Sequence, residues 1–127
     1  KDSKGVCAWV SDPSVPAPKE LIQLVKSARI GGRYHRVYCR KLMPKQGIAP
    51  HIDDHAWLKK GNFRRFQIPL ISHPDIKMRW PDDNVEVWLE PGYLWEVNFS
   101  KLHEVVNNAD CERIHIQIDM ENAIVNM

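Results

Sequence analysis

The chain of 127 residues is long enough for one domain with one hydrophobic core and too short for two ordinary domains. Its composition, 43% hydrophobic and 27% charged, is that of a soluble globular protein. The net charge of only +2 gives no indication of a nucleic-acid partner. No apolar run approaches the roughly 20 residues that cross a bilayer, so we expect no membrane partner.

The three cysteines are scattered through the chain and never spaced as a Cys-x-x-Cys pair. This usage favours reduced thiols over a disulfide framework and gives no support for a zinc ribbon. The N-terminal residues also lack the apolar core of a signal peptide. Together these features predict a cytoplasmic protein. Because the first residue is Lys1 and not Met, a missing N-terminal segment stays open as an interpretation.

We expect one domain over residues 1–127, in which residues 1–32 form an extension and a short helix. Residues 11–18 are rich in Pro and Ser and predict an extended entry segment. The following stretch, "KELIQLVKSARIGG", places apolar residues at helical spacing. Gly31 or Gly32 is expected to end this helix.

Residues 33–120 are predicted to form a core made of β-strands. Six short segments alternate in polarity, are rich in β-branched and aromatic residues, and are separated by Pro, Gly, Asp and Asn turns. The segments are "RYHRVYCRKLM", "RRFQIPLIS", "IKMRW", "NVEVWLE", "YLWEVNF" and "ERIHIQIDM". The pattern predicts a mainly β fold of the sandwich or jelly-roll type.

The last of these segments has two different faces. Three isoleucines point one way, and the polar face carries Arg113, His115, Gln117 and Asp119. A generic antiparallel strand would expose that polar face to solvent. The alternative is a barrel whose interior is a polar ligand cavity. The segment "RFQIPL" shows the same alternation, with Arg65 on its polar side.

The stretch "GIAPHIDDHAWLKKG", residues 47–61, places His51 and Asp53 two positions apart. On an extended strand both side chains project from one face and reach one ion. A His-x-Asp triplet is common by chance, so the interpretation needs a third ligand. Asp54 and His55 are the alternative ligands in this stretch, although a step of one residue turns Asp54 to the other face.

His103 is the candidate third ligand, and Arg113 follows it by ten residues. Two histidines and one carboxylate on one face of an octahedral ion leave the opposite face open, which suits Fe(II) that must bind both a substrate and O₂. A closed structural zinc site would need a fourth ligand. A nearby arginine is suited to binding a carboxylate through a two-pronged, charge-assisted contact.

This order of His-x-Asp, His and Arg resembles the Fe(II)- and 2-oxoglutarate-dependent oxygenases, which have a double-stranded β-helix (cupin-like) fold. Within them the sequence is closest to the aspartyl/asparaginyl β-hydroxylase-like family. The matching stretches are "LMPKQGIAPHID", "RRFQIPLI", "EPGYLWEVN" and "LHEVVNNADCERIHIQID", which fall within about residues 34–120. The resemblance implies a dioxygenase that hydroxylates an amino-acid, peptide or protein substrate of the Asp, Asn or Pro type. Such an enzyme uses Fe(II), 2-oxoglutarate and O₂, and it releases succinate and CO₂.

Carried over residue by residue, the resemblance implies that His51, Asp53 and His103 are the catalytic metal ligands. It also implies that Arg113 binds the distal carboxylate of 2-oxoglutarate. The animal β-hydroxylases lack the carboxylate that Asp53 supplies. In this respect the chain resembles the bacterial and phage members with a full triad.

Three further positions bear on the co-substrate. Arg65 and Gln67 fall where the family has an Arg and a His that help to hold it, and Gln67 departs from that His. Arg40 stands where the animal enzymes have a small hydroxyl residue. We therefore expect co-substrate or substrate contacts near Arg40 to differ from theirs.

Four residues are candidates for substrate contact: Arg36, Arg40, Trp57 and His115. Arg36 and Arg40 share a face of one predicted strand and would favour an anionic substrate if that face looks into the barrel. Trp57 follows the ligand pair and would roof the cavity. His115 shares a face with Arg113 and either contacts ligand or is structural.

Other interpretations stay open beside the oxygenase. One is a non-catalytic cupin-like module whose His-Asp-His set binds another divalent metal. Arg113 separates the two, because a bare metal module needs no cation there. Asn107 and Asn108 either cap the turn after His103 or reach the substrate.

Overall fold

The computed structural model describes residues 6–10, 23, 27, 30–53 and 62–125, and the strands among them form two antiparallel sheets. In chain order these strands are β1 Val6–Val10, β2 Ile30–Leu42, β3 Ile48–His51, β4 Phe63–Ile71, β5 Ile76–Trp80, β6 Val85–Val87, β7 Trp95–Val97, β8 His103–Asn107 and β9 Arg113–Val125. A single turn of 3₁₀-helix, Pro81–Asp83, follows β5. No helix among these residues has the length and apolar character needed to cross a membrane.

The first sheet has five strands in the order β1-β2-β9-β4-β7, and the second has four in the order β3-β8-β5-β6. Within each sheet, most neighbouring strands are distant in sequence. β9 lies between β2 and β4, and β8 lies between β3 and β5. The mainly β, two-sheet architecture predicted from the sequence is confirmed.

Two of the predicted strand segments agree closely with the structure. "IKMRW" coincides with β5, and "RRFQIPLIS" matches β4 to within one residue at each end. β9 continues to Val125, and β2 starts at Ile30, so the core extends beyond residues 33–120 at both ends. Three strands were not predicted. β1 falls in the expected extension, β3 is only four residues long and contains Pro50, and β8 has two adjacent valines that interrupt the alternation.

The predicted N-terminal helix lies largely outside the described residues, of which Gln23 and Ser27 are helical. Its predicted end at Gly31 or Gly32 is wrong, because both glycines lie within β2. Gly32 has φ +139°, and a Cβ there would come within 2.9 Å of the Ala123 Cα on β9. Close approach between two strands, and not a helix end, therefore explains this glycine.

Two clusters of buried apolar side chains stabilise the two sheets. One lies on the outer face of the five-stranded sheet and includes the fully buried Val37, Phe66 and Ile118. The other joins the two sheets and includes Leu42 and Val97 from the first and Met78, Val105 and Ile76 from the second. Trp80 and Trp95 contact this second cluster, whereas Trp88 follows β6 and its indole N–H donates to the Ser72 Oγ at 3.3 Å.

The polar face of β9 is the main departure from the generic expectation. Arg113, His115, Gln117 and Asp119 are 4%, 2%, 4% and 0% exposed, so the expectation of a solvent-facing strand is wrong. The second sheet covers this face, and the polar-interior alternative is confirmed. Between the sheets lies a pocket lined by polar residues of both.

Candidate active site

His51 and His103 are brought together by strand pairing. His51, the last residue of β3, lies directly opposite His103, the first residue of β8, and their ring centroids are 4.4 Å apart. Asp53 follows β3, and its backbone N–H donates to the carbonyl of Phe99 at 3.2 Å. Its carboxylate then lies 3.3 Å from the His51 Nε2 and 3.7 Å from the His103 Nε2.

This geometry fits a divalent metal ion. The three potential ligand atoms lie within 4.8 Å of one another. Two ligand atoms about 2.1 Å from an ion and at right angles would be about 3 Å apart. The Nδ1–H of His51 donates to the Ala49 carbonyl at 2.8 Å, and the Nδ1–H of His103 donates to the Lys101 carbonyl at 2.7 Å. The Nδ1 protons are thereby held away from the site, and both Nε2 lone pairs are available to one ion.

The protonation of His103 also suits metal binding. Burial is the main cause that lowers the pKa of His103; the hydrogen bond to the Lys101 carbonyl raises this pKa, the nearby His51 lowers it, and the net shift is downward. A neutral imidazole is the form that binds a metal. Arg65, only 6% exposed, contacts the Asp53 carboxylate from the other sheet.

Across the pocket lies a buried cation, Arg113, that has no counter-charge among the described residues. Arg113 is 4% exposed and donates to the Gln67 Oε1 at 3.4 Å. Within the described part of the chain, no carboxylate forms an ion pair with Arg113. Burial and the neighbouring charge of Arg40 lower the pKa of Arg113 to about 9, which still leaves it protonated at neutral pH. A buried unpaired charge is unfavourable unless a ligand neutralises it.

Two more polar atoms lack partners in the same pocket. His115 hydrogen-bonds Gln67 through Nδ1 at 2.8 Å, and its buried Nε2 has no hydrogen-bond partner among the described residues. The Arg40 Nε is also buried and lacks a partner there. Burial, followed by the charge of Arg113, lowers the pKa of His115 to about 2. Arg113 and Arg40 therefore make this end of the pocket cationic, which suits an anionic ligand, and the neutral His115 offers its Nε2 as a hydrogen-bond acceptor.

Comparison with known proteins now identifies the chain. The sequence model described as aspartyl/asparaginyl beta-hydroxylase matches residues 8–123. The chain belongs to the aspartyl/asparaginyl β-hydroxylase family. The resemblance read from the sequence is thereby confirmed, and the family is one of hydroxylases.

A solved structure supports the fold of this family member. The crystal structure of a cupin domain from Bordetella pertussis is similar to it with a TM-score of 0.55. That likeness covers 94% of this chain and 97% of the other at 14% sequence identity, so it shows the cupin fold alone. A search of functionally curated proteins finds no significant match.

The remaining candidate residues of this β-hydroxylase family member are distributed differently. Arg36 does not line the pocket; it stacks over Tyr38 at 4.7 Å and donates to Asp119 at 3.4 Å. The candidates Trp57, Asp54 and His55 lie outside the described residues.

Asn107 has a structural role. Its side-chain amide donates to the carbonyls of Met43 and Gln46 at 3.3 and 3.1 Å and accepts from the Ala109 N–H at 2.9 Å. The bond from Ala109 closes the turn after β8, and the other two tie that turn to the β2–β3 connection, which supports the capping interpretation over a substrate contact.

Several pocket residues received no role from the sequence. The apolar lining consists of Ile48, Met78, Val97 and Val105, and Gln117 completes the polar lining. Asp119, fully buried behind Arg65, also went unassigned. The alternation of β9 was the available signal for Gln117 and Asp119, because both share the polar face of Arg113.

Proposed function

We propose that this protein is an Fe(II)- and 2-oxoglutarate-dependent dioxygenase that hydroxylates an amino-acid or peptidyl substrate of the Asp, Asn or Pro type. One observation carries the proposal. A His-Asp-His set on one side of the pocket faces the buried Arg113, which has no carboxylate partner within the described residues, on the other. A metal ion bound by the His-Asp-His set, together with a dianion paired with Arg113, would complete both sides of the pocket.

His51, Asp53 and His103 would hold Fe(II) through two imidazole nitrogens and one carboxylate, which leaves the opposite face of an octahedral ion open. The chemistry that bound Fe(II) supplies is O₂ activation coupled to conversion of 2-oxoglutarate into succinate and CO₂. The protein itself positions the reactants.

Arg113 would pair with the distal carboxylate of 2-oxoglutarate, and Arg40 would add a second positive charge beside it. Gln67 accepts hydrogen bonds from Arg113 and His115 and so orients both toward the pocket. A fixed pose of the co-substrate is what such a rigid, buried network provides. The apolar lining from Met78, Val97 and Val105 would exclude water from the reacting end.

The test is anaerobic addition of Fe(II) and 2-oxoglutarate to purified protein, followed by the weak visible charge-transfer band of a chelated complex. We would compare the parent with His51→Ala, Arg113→Met and, as a control, Arg79→Met. Arg79 is 41% exposed and forms ion pairs with Glu86 and Glu104, away from the pocket.

We expect a band in the parent and in Arg79→Met and no band in the other two variants. Metal binding should be lost in His51→Ala and retained in Arg113→Met, which removes a buried unpaired charge and so should fold normally. Metal binding by the parent without any band would instead indicate a non-catalytic cupin-like metal module.

A further inference from the structure

Arg65 contacts two carboxylates at once. Its Nε and Nη2 donate to the two oxygens of Asp119, at 2.7 and 3.2 Å, and its Nη1 donates to Oδ2 of Asp53. The guanidinium also lies 5.2 Å from the centroid of the Phe99 ring. A planar guanidinium held in a fork by one carboxylate has little freedom left to move toward another.

Asp119 owes this contact to its place in the sheet. It lies on β9 directly opposite Arg65 on β4 and Arg36 on β2, so arginines flank it on both neighbouring strands. Arg36 donates to it at 3.4 Å. Asp119 is 0% exposed and does not belong to the His-Asp-His set.

The charges explain why this arrangement matters for Asp53. Of the three hydrogen bonds that the Arg65 guanidinium donates to carboxylates, Asp119 accepts two and Asp53 accepts one. The fully buried Asp119 is therefore the main counter-ion of Arg65. Asp53 keeps its second oxygen, Oδ1, facing the His51 Nε2 at 3.3 Å.

We propose that Asp119 is a positioning residue that acts through Arg65 to keep the Asp53 carboxylate available to a metal ion. The inference rests on the metal site of the proposed function. With Asp119 present, Arg65 holds Oδ2 of Asp53 without needing that carboxylate as its counter-ion. Without the charge of Asp119, Arg65 would pair with Asp53 alone and would compete with the metal for it.

The test is a double-mutant cycle read out by Mn(II) binding, with free Mn(II) followed by electron paramagnetic resonance and no turnover required. The variants are Asp119→Asn, Arg65→Gln and the double variant. Asp119→Asn should weaken Mn(II) binding by about 10-fold to 100-fold, the range of outer-shell substitutions at metal sites. In the Arg65→Gln background, Asp119→Asn should change the Mn(II) affinity by less than about twofold, because Asp119 acts on the metal site through Arg65 and that partner is already absent.

Glu121→Gln is the matched control, because it removes one negative charge from the same strand opposite Arg33. It should leave Mn(II) affinity unchanged. An equal loss of Mn(II) affinity in Glu121→Gln would show that any negative charge on this strand has the same effect, and it would overturn the inference. So would an Asp119→Asn effect of the same size with Arg65 present and with Arg65 replaced by Gln. No loss in Asp119→Asn would overturn it as well.

Arg65→Lys covers the case in which Asp119→Asn does not fold. Lysine keeps the charge beside Asp53 but cannot form the fork with Asp119, so Mn(II) affinity should fall in Arg65→Lys and not in Arg65→Gln. Equal affinities in these two variants would refute the inference. This test can fail or succeed separately from the proposed function. If the double-mutant cycle behaves as expected but the protein gives no charge-transfer band with 2-oxoglutarate, the role of Asp119 is supported and the dioxygenase proposal is refuted. If the parent protein binds no Mn(II), both proposals are refuted.

Discussion

Gly47 lies so close to Val105 that a Cβ on the glycine would come within 2.4 Å of the Val105 carbonyl oxygen. That oxygen belongs to the backbone of β8, which cannot move without disturbing its pairing with β3. The same pairing places His51 opposite His103. The metal geometry therefore depends on the absence of a side chain at residue 47.

Gly47→Ala should lower the free energy of unfolding by about 1–3 kcal/mol, the usual effect of forcing an extra carbon into a packed site. It should also weaken divalent-metal binding, because the two histidines would no longer face each other. Urea denaturation and metal titration measure the two effects. Gly31→Ala is the control, since a Cβ on Gly31 would meet no atom of the described residues within 4 Å apart from its own chain neighbours. Comparable losses there would contradict the explanation.

Arg40 should contribute to co-substrate binding and not to metal binding. Its charge lies beside Arg113 in the pocket, and a charge-assisted hydrogen bond contributes about 1.5–3 kcal/mol. Arg40→Met should therefore raise the Kd for 2-oxoglutarate by about 10-fold to 100-fold while the affinity for Fe(II) stays the same. Anaerobic titration of the Fe(II) protein gives both values.

Lys41→Met is the control for Arg40, because Lys41 points to the opposite face and pairs with Glu112 at 3.2 Å. It should behave as the parent protein does. An Arg40→Met variant with unchanged 2-oxoglutarate affinity but altered substrate preference would instead assign Arg40 to the substrate.

His115 should make the protein sensitive to acid. Its folded pKa, about 2, lies far below the ordinary value of 6.5, so below pH 6.5 the unfolded chain takes up a proton that the folded chain refuses. Stability is thus full above pH 6.5 and falls with decreasing pH by up to about 1.4 kcal/mol per unit from this group.

Between pH 7.5 and pH 5.5, we expect the parent to lose about 1.4 kcal/mol more unfolding free energy than His115→Gln does. Urea denaturation at the two pH values gives the comparison. His73→Gln should not reduce the loss, because His73 is a partly exposed turn residue. Parallel losses in the parent and His115→Gln would mean that His115 is protonated in the folded state.

Asn107→Ala should destabilise the fold by about 2 kcal/mol, because it leaves the buried Ala109 N–H and the partly buried Gln46 carbonyl without their partner. Asn108→Ala is the matched control, since Asn108 is exposed and bonds Lys45 and Asp75 through its backbone, which the substitution keeps. Thermal or urea unfolding measures both. A large loss of turnover in Asn107→Ala with unchanged stability would revive the substrate interpretation.

The sequence was informative where the signal is local. His51 and Asp53 are two residues apart, and the alternation of β9 correctly grouped Arg113 with His115. The sequence could not show whether that face points into the protein or to solvent. This depends on the second sheet, whose strands β3 and β8 are too short or irregular to predict. The role of Asp119 was also out of reach, since it arises from register across three strands that bring Arg65 and Arg36 beside it.

The two halves of the pocket belong to different sheets. His51 and His103 come from the four-stranded sheet, whereas Arg40 and Arg113 come from the five-stranded one. Packed sheets keep a separation of about 10 Å, so a ligand that reaches both halves must have a suitable length. Under the proposed function, the apolar cluster that joins the sheets, with Met78 and Val97 at its pocket side, would set the chain length of the diacid that spans the two halves.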